Sequence, residues 1–405
     1  MDIRHRVIFN AALALFLLII GFGCSTSISQ LMSTPPEQSW GKSYGGGYND
    51  YGSSVRQTSD NGYIITGGTS SSRYGDRNVS LIKTDMNGSL QWQKSYGGGK
   101  SDYGYAVIEP LGGGYAIAGV TESYGNGSGD VYLIRTDNAG SILWQKTFGG
   151  PGYDEGRALL QASDGGYIIA GMTRSYGNGS SDIYLVKTDA EGNLDWERTY
   201  GGPYNDTALS IEWTRGGGYI IAGGYGTAKD EQEAYLLKVD ERGHWLWDKK
   251  FDAYRDSIAS SAVQTNDRGY IVTGYVNTSP DTSKVCLIKV SNDGKVTWEK
   301  TYDGNYTQKG YKVYQMPDKG YLIIGMAGVK NSSSPGSTGV KYEGLLIRTN
   351  EVGNIDWQQT YGADRDVFIR MGELTKDNGL ALVGSIGSPG DVETWDTYLS
   401  KLAGV

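Results

Sequence analysis

Histidine and cysteine are nearly absent from this chain of 405 residues, which contains two of each. His5 lies in the N-terminal segment and His244 in a predicted turn, so histidine-based catalytic triads and multi-histidine metal sites are excluded. Two cysteines cannot form a disulfide framework. Cys286 belongs to an apolar strand, where a lone thiol is usually inert packing. Cys24, in contrast, follows a long apolar run.

A basic surface and helical periodicity are also missing. Lys and Arg number 37 against 45 Asp and Glu, a net charge of -8, and the charges are scattered. Nucleic-acid binding needs the opposite balance, so no nucleic-acid partner is expected. No stretch follows the 3.6-residue period of an amphipathic helix. The 62 glycines fall at fixed spacing beside β-branched and aromatic runs, which predicts turns between strands.

The N-terminal segment, residues 1–24, has the pattern of a secretory signal. Two arginines precede the apolar run Val7–Ile20, and small residues lie just before Cys24. This end resembles a lipobox, although Gly21 stands where that motif usually has Leu. We therefore predict lipidation of Cys24, a flexible tether over residues 25–38, and a position on the exported face of the cell envelope. The alternative is an uncleaved anchor of about 17 apolar residues.

A tryptophan recurs about every 52 residues through the rest of the chain. It stands at Trp40, Trp92, Trp144, Trp196, Trp247, Trp298 and Trp357. A glycine before the next apolar run keeps the same six spacings, at Gly62, Gly114, Gly166, Gly218, Gly269, Gly320 and Gly379. Two markers with one period indicate a true repeat. Each copy contains four strand-like segments separated by Asp and Gly turns, the size of a propeller blade.

The first and last copies complete each other. The Trp40 strand has no three strands before it, and the last copy ends after three strands. Pairing residues 39–45 with 397–404 completes a seventh blade and leaves no open sheet edge. The predicted fold is all-β: a monomeric seven-bladed β-propeller of four-stranded antiparallel blades over residues 39–405, closed by the N-terminal strand. We expect the repeated tryptophans to pack blade against blade; stacking on a ligand is the alternative.

The repeat carries a motif that known propellers share. The segment Asp130-x-Tyr-Leu-Ile-Arg-x-Asp137-x-x-Gly140-x-x-x-Trp144 resembles a kelch blade and the tryptophan-docking motif of quinoprotein propellers. The whole repeat is similar to the seven-bladed repeat proteins of archaeal and bacterial cell surfaces. The kelch glycine doublet occurs in two copies, and no quinoprotein cofactor constellation is visible. The resemblance implies a surface binding or scaffolding role.

Candidate binding residues lie on the face with the longer connections. Loops between the second and third strands share this face with the loops between blades, and such variable loops usually carry binding. Tyr124 and Tyr176, each within Ser-Tyr-Gly-Asn-Gly-Ser, are candidate ligand-binding residues. Trp395, Lys309 and the long loop Val329–Tyr342 are places where the repeat breaks. The alternative for the tyrosines is ordinary packing.

An acidic residue opens the innermost strand in most copies. These residues are Asp50, Asp102, Asp154, Asp206, Asp256 and Asp366. In a closed ring they line one mouth of the central channel, which makes them candidate ligand-binding residues. Converging carboxylates would suit Ca²⁺. A local role, each Asp capping its own turn, explains the repetition without a ligand and is favoured, so no metal or cofactor is predicted.

These observations predict an exported, envelope-anchored, non-enzymatic module that binds or scaffolds a protein or polysaccharide partner. A passive envelope scaffold is a further reading. The alternative from another class is a glycan-active hydrolase or lyase that uses carboxylates at the channel mouth. Repetition of those carboxylates favours a structural role over a unique catalytic pair, so the chain is predicted not to be an enzyme.

Overall fold

A computed structural model of the chain describes residues 34–46, 48–70, 75–229, 231–252, 256–279, 281–330, 340–387 and 394–404. The 28 strands in these residues form seven antiparallel sheets of four strands each. This arrangement confirms the predicted seven-bladed β-propeller. The predicted signal segment, Cys24 and most of the tether lie outside the described residues. Within the described ranges, no helix is long and apolar enough to span a bilayer.

The blades are numbered along the chain, and the strands of each blade run from the channel outwards. Blade 1 contains β2 (Asp50–Gln57), β3 (Tyr63–Ser70), β4 (Arg77–Thr84) and β5 (Leu90–Tyr96). Blade 2 contains β6 (Asp102–Ile108), β7 (Tyr115–Thr121), β8 (Asp130–Thr136) and β9 (Ile142–Phe148). Blade 3 contains β10 (Asp154–Gln161), β11 (Tyr167–Thr173), β12 (Asp182–Thr188) and β13 (Leu194–Tyr200). Blade 4 contains β14 (Thr207–Trp213), β15 (Tyr219–Ala228), β16 (Glu231–Val239) and β17 (Trp245–Lys250).

The remaining blades follow the same order. Blade 5 contains β18 (Ser257–Gln264), β19 (Tyr270–Ser279), β20 (Thr282–Val290) and β21 (Val296–Tyr302). Blade 6 contains β22 (Gln308–Gln315), β23 (Tyr321–Lys330), β24 (Val340–Thr349) and β25 (Ile355–Tyr361). Blade 7 contains β26 (Val367–Leu374), β27 (Leu380–Gly387) and β28 (Trp395–Ala403), and its outer strand is β1 (Glu37–Tyr44).

The ring closes through the two ends of the propeller. Strand β1 pairs antiparallel with β28, from Glu37 opposite Ala403 to Tyr44 opposite Thr397. The backbone N–H and C=O groups along that edge of β28 therefore have hydrogen-bond partners, and the sheet has no open edge there. This pairing confirms the predicted closure by the N-terminal strand.

One predicted loop is strand at both of its ends. The repeat predicts a long connection over Val329–Tyr342 in blade 6, but β23 continues to Lys330 and β24 begins at Val340. Val329 pairs with Lys341, and Gly328 with Tyr342. The prediction was wrong at both ends because the hairpin continues its hydrogen-bonded ladder beyond the length of the other blades. Residues 331–339 lie outside the described ranges.

The core is divided into seven hydrophobic clusters, each shared by two neighbouring blades. The repeated tryptophans lie at these interfaces. A Cβ built on Gly140, whose φ is +77°, would lie 2.9 Å from the Trp92 ring of the preceding blade. The same ring packs against Tyr115 with 5.8 Å between centroids. Packing of the tryptophans between blades is therefore confirmed. Cys286, which is 1% exposed, lies in one of these clusters, and burial raises the pKa of its thiol to about 12.

Candidate functional site

The acidic residues at the channel mouth are part of the turns between blades. Asp50, Asp102, Asp154 and Asp206 are at most 2% exposed. Each accepts a hydrogen bond from the amide four residues earlier, for example Gly98 to Asp102 at 2.9 Å and Gly150 to Asp154 at 2.8 Å. The hydroxyl of Thr121 also donates to Asp102. This bonding is that of the capping alternative, and the four carboxylates are not open to a ligand in this structure.

Burial has an electrostatic cost for these carboxylates. It raises the pKa of Asp206 to about 6, against the hydrogen bonds that the amides of Gly202 and Gly226 donate to this side chain. The nearby carboxylate of Asp182 raises the same pKa further. In the part of the chain that the structure describes, no group of three or more His, Cys, Asp and Glu side chains is placed to hold a metal ion.

The two remaining acidic candidates are placed differently. Asp256 is exposed and has a φ of +52°. Asp366 is half-buried and accepts a hydrogen bond from the amide of Tyr342 at 2.7 Å. The structure therefore does not bring the six acidic candidates into one open ring.

The predicted aromatic candidates are partly used by the fold. Tyr124 and Tyr176 are each 39% exposed, and their hydroxyls donate to the carbonyls of Gly97 and Gly149 at 2.8 Å. Trp395 is half-buried. A ligand-binding role for these side chains stays a prediction.

Trp395 belongs to an aromatic group at the loop-rich mouth of the channel. Its ring packs edge-on against Phe368, with 5.1 Å between centroids, and Phe368 also contacts Tyr342 at 4.7 Å. Phe368 lies on the inner strand β26, so this aromatic cluster lies beside the channel. Lys309, on the neighbouring inner strand, places its amine 4.4 Å from the centre of the Tyr275 ring.

Every inner strand contains a β-bulge at the same place, where two residues oppose one on the partner strand. Bulges redirect a side chain at the cost of one unpaired residue. The seven extra residues are Ser53, Tyr105, Arg157, Leu209, Ser260, Tyr311 and Arg370. All seven line one cavity of about 150 Å³ in the central channel. We call this set the bulge ring.

The channel is continuous through the bulge ring. A second cavity of about 320 Å³ lies on the side of the loop-rich face and is lined by Tyr51, Tyr103, Tyr105, Arg157 and Arg370 among others. The two cavities share five members of the bulge ring. We call the larger one the upper channel. It is the polar concavity at which a small ligand would reach several side chains at once.

The bulge ring contains the run Ser–Tyr–Arg twice, in blades 1 to 3 and in blades 5 to 7. The two arginines differ in their partners. Arg157 donates to the carboxylate of Glu155 at 2.5 Å, and Glu155 is 2% exposed. At the equivalent position in blade 7, two residues before Arg370, stands Phe368. Among the described residues, no carboxylate forms an ion pair with Arg370, which is exposed in the channel.

The channel tyrosines keep their protons at neutral pH. Burial raises the pKa of Tyr311 to about 12, although the nearby Arg370 charge opposes this rise. Burial also raises the pKa of Tyr105, which has the Arg157 guanidinium 5.0 Å above its ring. Both phenols can therefore donate hydrogen bonds at neutral pH. Tyr103, whose hydroxyl accepts from Ser53 at 2.9 Å, packs beside Tyr105.

The lower end of the channel is neutral. Arg56 pairs with Glu373 at 2.6 Å, and Lys312 pairs with Glu212 at 2.6 Å. The Lys312–Glu212 pair joins blades 6 and 4. It reaches across the inner strand of blade 5, which has the small residues Ser260 and Ser261 at this level. The unbalanced positive charge is therefore confined to the upper channel.

Sequence reasoning placed candidates at the mouth and missed the bulge ring. Its members stand nine residues before each marker glycine, in a repeat whose other inner-strand positions are similar from copy to copy. That variation between copies was the available signal. Of the residues singled out as breaks in the repeat, Lys309 is close enough to Arg370 to interact with its charge, and Trp395 packs against Phe368.

Comparisons with known proteins agree with the fold. No protein-family model matches the chain. Part of it is similar to the regulatory protein FlaEY of Caulobacter vibrioides, with 27% identity over 161 residues, which are 36% of this chain and 16% of that protein. The chain thus spans about a sixth of the length of this relative.

Similar solved structures are propellers at low identity. A chain in the crystal structure of BBS1N with ARL6DN has a TM-score of 0.49 at 10% identity, covering 90% of this chain and 96% of that one. The NanB sialidase of Streptococcus pneumoniae has a TM-score of 0.45 at 12% identity, covering 91% and 70%. An endo-arabinase of Bacteroides thetaiotaomicron has a TM-score of 0.35 at 11% identity, covering 60% and 91%.

The prediction that the chain is not an enzyme is corrected by these comparisons. A sialidase and an endo-arabinase, both glycan-active enzymes by name, are among the chains of similar fold. The prediction rested on scarce histidine and on repeated aspartates, and neither observation applies to the bulge ring. At these identities the likeness concerns the fold alone, so the chemistry has to be argued from the channel.

Proposed function

We propose that the chain is a glycan-active enzyme whose reaction takes place in the central channel at the level of the bulge ring. The observation that carries this proposal is the bulge ring, which puts two Ser–Tyr–Arg runs into one solvent-accessible channel. A tyrosine hydroxyl can protonate a leaving oxygen, and a guanidinium can stabilise negative charge that develops next to it.

The candidate catalytic groups differ from those expected at first. A hydrolase with two carboxylates needs both beside the scissile bond, but Asp102 and Asp154 are capped and buried. Glu155 is buried and is held by Arg157. We therefore assign proton donation to Tyr105 and Tyr311, each next to an arginine of the following blade. Both phenols are protonated at neutral pH, and the charge of the neighbouring arginine, which lowers the pKa of each, favours release of the proton.

The experiment is a turnover assay on a panel of neutral and acidic polysaccharides. New reducing ends report cleavage by hydrolysis or by elimination. Ultraviolet absorbance of an unsaturated product then separates elimination from hydrolysis. We expect Tyr105→Phe and Tyr311→Phe to lower kcat by about 100-fold or more. The matched control is Tyr302→Phe, a buried tyrosine whose hydroxyl donates to the Gly353 carbonyl at 2.8 Å outside the channel.

Two results would contradict the proposal. One is the absence of turnover on every glycan class by folded protein. The other is turnover that both channel variants leave at the level of the control.

We further propose that this enzyme works outside the cytoplasm, held at the envelope by its N-terminal segment, and acts on a polysaccharide as a monomer. The basic and apolar run before Cys24 supports export and lipidation. Labelling of cells with a radioactive fatty acid tests it in Cys24→Ala and in the unchanged chain, since lipidation should give a labelled, shortened chain that the variant does not form. An unchanged chain that carries no label and keeps its apolar run would favour an uncleaved anchor.

A further inference from the structure

We propose that the upper channel selects a glycan unit carrying a carboxylate, such as a uronic acid, and that Arg370 binds this carboxylate. The inference rests on the proposed function, because it assumes that a glycan enters the channel. It adds the chemical class of the substrate and the residue that recognises it.

The first step is the difference between the two equivalent arginines. Arg157 and Arg370 arise from the same bulge in blades 3 and 7. Glu155 neutralises Arg157 from within its own strand. In blade 7 the equivalent residue is Phe368, so the fold supplies no carboxylate to Arg370 from that position. A guanidinium presents a planar fork of donors that matches a carboxylate with two parallel hydrogen bonds.

The second step is the local charge. Arg157 and Arg370 line the upper channel, and Lys309, on the inner strand of blade 6, is close enough to Arg370 to interact with its charge. The Glu155 carboxylate is engaged by Arg157. The exposed Asp256 is near enough to Lys309 to act on its charge. Burial and the Arg370 charge together lower the pKa of Lys309, which means that these two cations repel each other. An anion placed between them would relieve this repulsion.

This positive channel belongs to a chain whose net charge is -8. A concave site of one sign inside a protein of the other sign focuses its field on ligands of the opposite charge. The lower channel does not share the charge, because its two cations are both paired. An acidic ligand would therefore be held at the level of Arg370 and Lys309.

The third step is the surface beside Arg370 on which a sugar ring would rest. Phe368 precedes Arg370 by two residues on the same inner strand. It forms an aromatic cluster with Trp395 and Tyr342, at 5.1 and 4.7 Å. Ligand sites combine such apolar walls with a few polar groups that fix orientation. Here the aromatic cluster offers the wall and Arg370 the orienting group.

The experiment measures binding to the full chain by calorimetry with three probes of equal length. They are trigalacturonic acid, its carboxyl-reduced neutral counterpart, and a neutral trisaccharide carrying sulfate. We expect the uronide to bind most tightly. Loss of a charge-assisted pair should weaken uronide binding by about 10-fold to 100-fold in Arg370→Gln. Arg370→Lys keeps the charge without the fork and should fall in between.

The matched control is Arg215→Gln, which removes the same charge from the opposite face. Arg215 is exposed and donates to Asn266 at 2.9 Å. This variant should keep the affinity of the unchanged chain. Equal affinity of Arg370→Gln and Arg215→Gln for the uronide would overturn the inference. Tighter binding of the sulfated probe than of the uronide would overturn the assignment to a carboxylate.

The outcome separates this inference from the proposed function. Turnover of neutral glycans in the channel without any preference for the uronide sinks the inference and leaves the proposed function standing. Binding of the uronide that depends on Arg370, with no turnover of any glycan, supports the inference and contradicts the proposed function.

Discussion

Blade 4 contains a buried lysine that lacks the carboxylate found in most other blades. In five blades a base near the end of the third strand pairs with an Asp in the turn between the first two strands. The pairs are Lys83–Asp60, Lys187–Asp164, Lys289–Asp267, Arg348–Asp318 and Lys401–Asp377. In blade 4 the equivalent turn position is Gly216. Lys238 is 6% exposed and donates to the carbonyls of Gly217 and Val239 at 2.9 Å.

The missing carboxylate changes the protonation of Lys238. Burial lowers the pKa of its ammonium from the usual 10.5 to about 8, although Asp240 and Glu241 oppose this. A depressed lysine pKa means that the folded state disfavours the charged form. The difference between the unfolded and folded pKa values corresponds to a loss of at most about 3 kcal/mol in the free energy of unfolding below pH 8.

The perturbation is Gly216→Asp. Nothing lies within 4 Å of a Cβ at Gly216, and its φ is not in the left-handed region. Because the equivalent aspartates are 52–64% exposed, solvent screens the pair, and we expect it to recover about 1 kcal/mol. Replacing a glycine that tolerates a side chain adds about 0.4–1 kcal/mol. The control Gly216→Asn adds a side chain of the same shape without the charge.

The assay is urea unfolding between about pH 7 and pH 9.5, a range that brackets the folded pKa of Lys238. The unchanged chain should gain stability as pH rises above about 8, because the unfolded lysine still binds a proton that the folded one has released. In the Gly216→Asp variant the lysine stays charged, and this rise should flatten. The reasoning is refuted if Gly216→Asp and Gly216→Asn have equal stability at neutral pH and the same dependence on pH.

Two further predictions concern the interfaces between blades, both measured by urea unfolding. Gly192→Ala should lower the free energy of unfolding by about 2–4 kcal/mol, because Gly192 has a φ of +78° and a Cβ would lie 2.6 Å from the Trp144 ring. The control Gly216→Ala should not lower it. Equal losses in the two variants would show that the ring contact is unimportant. Tyr96→Phe should cost about 1–2 kcal/mol by leaving the buried carbonyl of Gly140 without the 2.7 Å bond from this hydroxyl; an unchanged stability would mean that water replaces the bond.

The blades could be predicted because their markers are contacts that every copy must make. Trp92 packs on the turn glycine of the next blade, and Asp102 caps the turn that leads into its own strand. A residue type that is fixed by a repeated contact recurs at a fixed interval, so the period was visible without a structure. The closure by β1 followed from the same count, since the strand absent from blade 7 is the one left over at residues 37–44.

The bulge ring could not be predicted from the alternation of residues along a strand. Strict alternation from Glu155 and Arg157 would place Leu159 in the channel as well. The bulge at Arg157 adds one residue, which reverses the faces beyond it. Leu159 therefore packs with Ala118 and Ile169 between blades 2 and 3, and it only borders the channel cavity. Bulges of this type have no fixed residue signature, so the break in the pattern looked like ordinary variation.

The same geometry explains why the chemistry of the channel is concentrated in the bulge ring. A capping aspartate such as Asp154 must accept the Gly150 amide, and a core residue such as Val107 must fill its interface, so neither position can change freely. The extra residue of a bulge has no partner across the sheet, and in this propeller it lines the channel. Serine, tyrosine, arginine and leucine are therefore all compatible with the fold at this position. The propeller thus keeps seven nearly equal blades while its bulge ring presents two arginines in different electrostatic settings. Arg157 is paired with Glu155, whereas Arg370 has no carboxylate two residues before it on its strand.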